Sequence, residues 1–367
     1  MTDSTLPKRL QKFCKILYDT GMERTRIAER VGAKLPFANW IEVKEKSRIP
    51  ELVANCEDSL YLKRYKGKFL RFCPGTSYYR CCGYRILHIG ENCPLNCSYC
   101  ILKAYFQDRL QKVWANQDEM QEEFVTEVGG NPDSLYRFGT GEFTDSLALE
   151  PLTGYSRDLI EFISDFSNVR LELKTKVADL SWMDAVKFPE QILPAWSLNS
   201  PEVVESEEVG VDNLEKRLQA AGYCAERGFR VCLHFDPILY YPGWEKGYAR
   251  TIEMIFDYLK PEQIAYLSLG SFRCMPSLKN YIAKNWPNSK YIYQEYLSGI
   301  DGKLRLVRPL RTEQFRFVAD LLKKHGVQKQ IYFCMESDAV WQAVLGYTPK
   351  DLGGLDKHLL KLAFAPT

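Results

Sequence analysis

The sequence predicts an α/β fold, an open partial (β/α)6 barrel with an N-terminal helical and loop extension and a C-terminal α/β cap. Three observations predict it. From Tyr84 onward, short apolar runs alternate with amphipathic stretches, and six strands joined by helices imply a parallel sheet with right-handed crossovers. A length of 367 residues with 46% hydrophobic and 26% charged residues suits one globular α/β barrel. A cysteine-bearing loop follows the first strand, at the C-terminal strand ends where such barrels gather their chemistry. The expected division is 1–82 for the extension, 83–287 for the barrel and 288–367 for the cap.

In order, residues 7–30 read as helix because Leu10, Phe13, Ile16, Leu17, Ile27, Ala28 and Val31 recur at helical spacing. Trp40 opens a short strand. Residues 51–82 form a loop-rich lead-in, and its run at 63–71 mixes five basic residues with aromatics. That run suits either a phosphate-tracking surface or a solvated edge strand. The barrel strands are expected at 84–89, 134–140, 170–176, 192–198, 230–237 and 264–271. Helices are expected near 117–128, 153–166, 179–186, 211–227, 245–259 and 276–285. The tail contributes helices at 311–325 and 337–346, around an apolar Gln330-Ile-Tyr-Phe-Cys segment.

Composition excludes some classes. No run of eighteen apolar residues appears, so no membrane span is expected. The first ten residues lack an apolar signal core, so a cytoplasmic location is expected. Twelve cysteines in such a chain argue for metal or redox chemistry rather than disulfides. A net charge of +2 sets no overall bias towards nucleic acid.

The cysteine loop carries the sharpest signal. Cys93, Cys97 and Cys100 stand in a C-x3-C-x2-C string, and Gly90, Asn92, Pro94 and Asn96 keep it irregular. Three thiolates turned to one point suit a soft metal. A [4Fe–4S] cluster takes four ligands, so three cysteines leave one iron for an outside ligand. A structural zinc site or three buried core thiols would use the same residues, but zinc sites usually close with four ligands and no fourth lies nearby. The spacing, with Tyr99 before the last cysteine, resembles the signature of radical S-adenosylmethionine (SAM) enzymes. That resemblance implies a [4Fe–4S] cluster, bound SAM, a radical SAM partial barrel and an external electron donor of flavodoxin or ferredoxin type. It also implies that Tyr99 lies against SAM.

The strand ends offer further candidates. Glu142, in Gly139-Thr-Gly-Glu, could receive the SAM amino group, resembling a G-G-E element of the superfamily. Lys176, in Lys174-Thr175-Lys176, could pair with the SAM carboxylate, and Ser197 and Asn199 could bond its ribose. His234 and Asp236 read either as ligands of sugar hydroxyls or as partners of each other. Arg217 reads as solvated or salt-bridged.

With these elements together, the chain resembles the spore photoproduct lyase family over roughly residues 20–310. The carrying strings are G-E-N-C-P-L-N-C-S-Y-C-I-L (90–102), R-F-x4-F-T-D (137–145), T-K (175–176), S-L-N (197–199) and K-R-L-Q-A-A (216–221). P-G-W-E-K-G-Y (242–248) and K-N-W-P-N-S-K (284–290) complete the set. The resemblance implies repair of a methylene-bridged thymine dimer in DNA, with a cysteine after the second strand returning a hydrogen atom and two tyrosines relaying it. Here that cysteine position aligns with Glu142, and the second tyrosine with Ile101. Two readings restore a donor. Cys274, past the sixth strand, could face the barrel, or it could be a core thiol. Cys73, Cys81 and Cys82 could form a second metal site or act as redox thiols, or be small buried thiols. The alternatives to DNA repair are a radical enzyme for a small molecule or peptide, and a catalytically silent metal-containing DNA-binding protein.

Overall fold

The structure is a computed structural model that describes residues 6–53, 56–75 and 78–366. The first five residues, on which half of the signal-core expectation rests, lie outside the described residues, as do Thr76 and Ser77 between Cys73 and Cys81. Among the described residues, no helix is long and apolar enough to cross a membrane.

One eight-stranded sheet carries the fold. Its strands are β1 (Leu70–Phe72), β2 (Arg85–Leu87), β3 (Tyr136–Gly139), β4 (Val169–Thr175), β5 (Ile192–Ser197), β6 (Val231–Ile238), β7 (Ile264–Ser271) and β8 (Ile331–Phe333). They lie side by side in chain order. β1 is antiparallel to β2, and every later pair is parallel. Consecutive parallel strands need crossovers, and the helices α1 (Gln117–Phe124), α2 (Tyr155–Ile163), α3 (Leu214–Ala225), α4 (Trp244–Tyr258) and α5 (Arg308–Lys324) supply most of them. α3 starts where Asn213 Oδ1 accepts from Lys216 N at 2.9 Å, and its Leu214, Leu218, Ala221 and Cys224 face inward. α4 starts at Gly243, whose φ of 84° suits glycine. Because both faces are covered, β7 is buried along all eight residues.

The expected partial barrel is present, with changes of detail. The Ile331–Phe333 segment, read as part of the cap, extends the sheet as a seventh parallel strand beside β7. The stretch at 179–186 is a short 3-10 turn at Ser181–Ala185, followed by another at Pro189–Gln191. Pro189 has no N–H for a continuing helix.

The extension contains more sheet than expected. Only Lys8–Gln11 and Arg26–Lys34 of the 7–30 stretch are α-helical, and Lys15–Tyr18 is a strand. It pairs in parallel with Asn39–Glu42 on one side and Ser59–Lys63 on the other. Ile16 and Leu17 are both fully buried, as in a central strand with two covered faces. Adjacent apolar residues of that kind fit a helical period as well as a buried strand, which is why periodicity misread them. Gln111–Trp114 continues the sheet, and Gly90–Glu91 finishes it antiparallel. This second sheet therefore abuts the segment that leads into the cysteine loop.

Residues 78–83 lace the open edges of the barrel together. Arg80 N donates to Glu336 O at 3.2 Å, and its guanidinium pairs with Asp338.

Candidate functional site

The cysteine loop is held from both sides. A Cβ at Gly90 would sit 2.3 Å from Lys112 O, so the second sheet approaches too closely for any other residue. Asn92 adopts φ 67° and donates to the carbonyls of Asp108 and Leu110 at 3.1 and 2.8 Å. On the far side, Asn96–Cys97 pairs antiparallel with Glu208–Val209. Ser98 N donates to Glu207 O at 2.8 Å, and Ser98 Oγ to Glu207 Oε2 at 2.5 Å.

Cys97 is buried, and Cys93 and Cys100 are partly so. Burial raises all three thiols, and Lys176 acts on Cys97, and Lys103 and Lys176 on Cys100, in the opposite sense. Lys103 is lowered by burial and by Arg109, while Cys100, Cys97 and Cys93 each pull it back. Cys97 and Cys100 thus share a cationic neighbourhood, while at Cys93 Asp145 acts in the same sense as burial. Among the described residues no three His, Cys, Asp or Glu side chains close into a ligand set. The donor set itself, three thiols on one irregular loop, fits a cluster with one open iron better than a four-ligand zinc site.

Tyr99 ties this loop to the barrel. Its hydroxyl donates to Glu208 and accepts from Lys176 Nζ at 2.9 Å and Asn199 Nδ2 at 3.2 Å. Lys176 also reaches Glu208 Oε1 at 2.9 Å, and Arg217 reaches Glu208 Oε2 at 2.6 Å. Glu208 and Arg217 have fully buried side chains, so the expectation of a salt bridge at Arg217 holds and that of solvation does not. Burial opposes the Glu208 charge most strongly, but Lys176 and Arg217 outweigh it and hold the carboxyl down to about 2. Asn199 is buried and its Oδ1 accepts from Tyr248 at 2.5 Å. Tyr248 belongs to the G-W-E-K-G-Y string. A Cβ at Gly247 would lie 2.4 Å from Tyr241 Oη, so this glycine lets α4 press against the β5 end. Ser197 contributes its carbonyl to Arg217 at 2.9 Å.

The other candidates lie along the inner face of the sheet. Glu142 pairs with Lys174 at 3.5 Å, both partly exposed. Gly141 is required there, because a Cβ would meet Lys174 at 2.8 Å. Asp145 accepts from Leu147 N, Ala148 N, Thr175 Oγ1 and Lys176 N, at 2.7 to 3.0 Å, and so fastens the β3 end to the β4 end. His234 and Asp236 do not bond each other. His234 Nε2 lies 3.1 Å from Glu172 Oε1, and Asp236 pairs with Arg273 at 3.2 Å. Successive inward positions of one strand are too far apart to pair, so His234 meets Glu172 on β4, two strands away, and Asp236 meets Arg273 just past the end of β7.

Cys274 is fully buried on a two-residue strand against Leu304, in an apolar cluster with Cys97, Tyr99, Phe272 and Tyr291. Burial pushes its thiol up to about 11. The 63–71 run does not offer its aromatics to a ligand. Tyr65 and Phe69 are buried, Tyr65 stacks on Trp114, and Arg64 pairs with Glu119.

Glu207, Glu208 and Tyr248 were not singled out from the sequence. Glu205-Ser-Glu-Glu208 looks like a solvated helix end. The available signal was a counter-charge, since Arg217 lies on the inward face of α3 and needs a buried acid.

A family model described as spore photoproduct lyase matches residues 80–340. Spore photoproduct lyase from Clostridium acetobutylicum is 25% identical over 205 residues, covering 56% of this chain and 61% of the relative. The Bacillus subtilis protein of the same name is 24% identical over 205 residues, covering 55% and 60%. The chain thus spans about three fifths of the length of these relatives. Among solved structures, a double mutant of spore photoproduct lyase with bound AdoMet and dinucleoside spore photoproduct aligns with TM-score 0.75 at 17% identity, covering 89% of this chain and 99% of that one. Spore photoproduct lyase complexed with dinucleoside spore photoproduct also aligns at 0.75 and 17%, covering 88% and 98%. At that identity the agreement is one of fold.

Proposed function

The chain belongs to the spore photoproduct lyase family, and on that premise we propose that it is a radical SAM enzyme acting on a methylene-bridged thymine lesion in DNA. The observation that carries the reading is the tie between the cysteine loop and two barrel strand ends: Tyr99 meets Lys176 after β4 and Asn199 after β5. A loop anchored there brings any cluster bound on its cysteines to the C-terminal rim of the sheet.

In this reading Cys93, Cys97 and Cys100 hold a [4Fe–4S] cluster. When bound, such a cluster supplies an open iron for SAM and the electron that cleaves it. The chain's own residues orient the nucleotide. Lys176 has three N–H donors, of which Glu208 and Tyr99 take two, leaving one for a carboxylate. Glu142 receives the SAM ammonium by sharing or leaving Lys174. Ser197 and Asn199 flank the ribose, with Tyr248 fixing the Asn199 amide, whose N–H edge donates to Tyr99 and Glu208. An external flavodoxin- or ferredoxin-type protein delivers the electron. A second reading, a radical enzyme for a small molecule or peptide, is favoured by the Glu142–Lys174 pair, which puts charge where the family resemblance implies a thiol. The buried aromatics of 63–71 remove a stacking surface for DNA, from the repair reading as much as from a silent DNA-binding protein.

The test is anaerobic reconstitution with iron and sulfide, then dithionite and SAM, with and without a lesion-bearing oligonucleotide. Formation of 5′-deoxyadenosine together with restored thymine is expected. Deoxyadenosine without thymine would select the small-molecule or peptide reading. Neither product on a protein loaded with four irons would end the radical SAM reading.

A further inference from the structure

The extension holds a cavity that the barrel chemistry does not use. It lies where the helix Arg26–Lys34 meets the parallel strands Lys15–Tyr18 and Asn39–Glu42. Its volume is about 340 Å³, and Tyr18, Glu23, Ala28, Glu29, Gly32 and Trp40 line it. Ala28 and Gly32 stand one helical turn apart, and their small size leaves the space. A Cβ at Gly32 would already touch the Trp40 ring at 3.6 Å, so a longer side chain there would fill the cavity. The walls are chemically one-sided. The rings of Tyr18 and Trp40 have centroids 6.0 Å apart and are tilted by 53°, two carboxylates border them, and none of the lining residues is basic. Glu23 Oε2 is buried without a hydrogen-bond partner, while Oε1 meets Arg24 at 3.3 Å. A carboxylate oxygen left unpaired beside two aromatic faces suits an ammonium or guanidinium group.

Beside the cavity the sheet ends. Among the described residues, Asn39–Glu42 is the edge strand and pairs only with Lys15–Tyr18. Asn39 N donates to Cys14 O at 2.8 Å and Val43 N to Tyr18 O at 2.9 Å. Strand alternation therefore turns the N–H and C=O groups of Trp40 and Glu42 away from the sheet. Phe37, three residues before Trp40, is 99% exposed. An open backbone edge and a bare aromatic ring next to the cavity fit a protein chain better than a free small cation. We propose that this edge docks an extended segment of a partner protein, which adds a strand along Asn39–Glu42 and lodges a lysine or arginine side chain against Tyr18, Trp40 and Glu23. Backbone pairing with Trp40 and Glu42 sets the alignment, and the cavity selects the basic residue. Every residue involved lies in the extension, so the inference stands apart from the lesion-repair reading.

The experiment measures fluorescence anisotropy of a labelled peptide, alternating threonine and valine around a central arginine, on full-length, reconstituted protein. Three competitors are compared: the unlabelled peptide, the same peptide with glutamine for arginine, and the same peptide N-methylated along its backbone. Putrescine serves as a free cation. Exchange of arginine for glutamine should weaken binding by about fivefold or more, and N-methylation by about tenfold. Gly32→Leu fills the cavity while suiting the helix, and it should weaken binding by about tenfold with no loss in thermal melting. Glu23→Gln keeps the shape and should weaken binding by about fivefold. Equal affinity for the arginine and glutamine peptides, or an unchanged affinity in both Gly32→Leu and Glu23→Gln, overturns the cavity assignment. Putrescine that binds as tightly as the peptide, with no effect of N-methylation, overturns the protein partner in favour of a free organic cation. No saturable binding up to about 1 mM peptide overturns the docking site altogether.

Discussion

The cysteine loop and the inner face of the barrel (Cys73, Cys82 and Cys334) each gather three thiols, and in each set two have a cation and one a carboxylate as the strongest charged neighbour. Lys103 and Lys176 lie by Cys100, and Lys176 and Arg217 by Cys97. Cations favour thiolates, the form that binds metal. Glu142 instead faces Cys73, while at Cys334 burial is opposed first by Arg273 and reinforced less by Asp236. Burial above all keeps those two sulfurs protonated, whereas Cys82 is lowered by Cys81 and Arg137.

The largest break of this comparison is at the loop. Cys97→Ala should remove iron binding after reconstitution and lower 5′-deoxyadenosine formation by about a hundredfold or more, read by iron content and product chromatography. Next comes its support. Glu208→Ala would leave Lys176 and Arg217 buried without their carboxylate and should cost about 3–5 kcal/mol in urea unfolding. If the loss is under about 1 kcal/mol, the network does not anchor the loop.

A pH titration sharpens both regions. Glu208 and Glu172 are each held down to about 2 against an ordinary value of 4.5. Burial works against both charges, and it is outweighed by Lys176 and Arg217 at Glu208 and by His234 and Arg137 at Glu172. A depressed carboxyl contributes stability that is complete above pH 4.5 and is lost as pH falls through about 2. Thermal melting should therefore drop between those limits, and Glu208→Gln should flatten the drop. The smallest effect is at the barrel edge. Asp338→Ala removes a half-exposed ion pair with Arg80 and should change stability by about 1 kcal/mol or less. A larger loss would mean that the lacing by residues 78–83 holds the inner thiols in place.

Much of this was legible residue by residue. The strand at 264–271 was placed to the residue because its two faces are buried and the turn at Pro261–Gln263 marks its start. The cysteine loop was legible because its chemistry is contiguous. β8 was missed because nearly sixty residues separate it from β7, and an apolar tripeptide carries no sign of its partner. Glu208 was missed because an acidic residue in an acidic run looks solvated until Arg217 is seen to face it.

The amino-acid string alone determined the αβ alternation, the three-cysteine loop and its family resemblance, because each depends on neighbours along the chain. The pairing of Glu208 with Lys176 and Arg217, the turning inward of Tyr65 and Phe69, and the meeting of Cys73, Cys82 and Cys334 were decided by tertiary structure. Those contacts join segments from separate strands and helices, and only the curl of the sheet brings them within interaction distance.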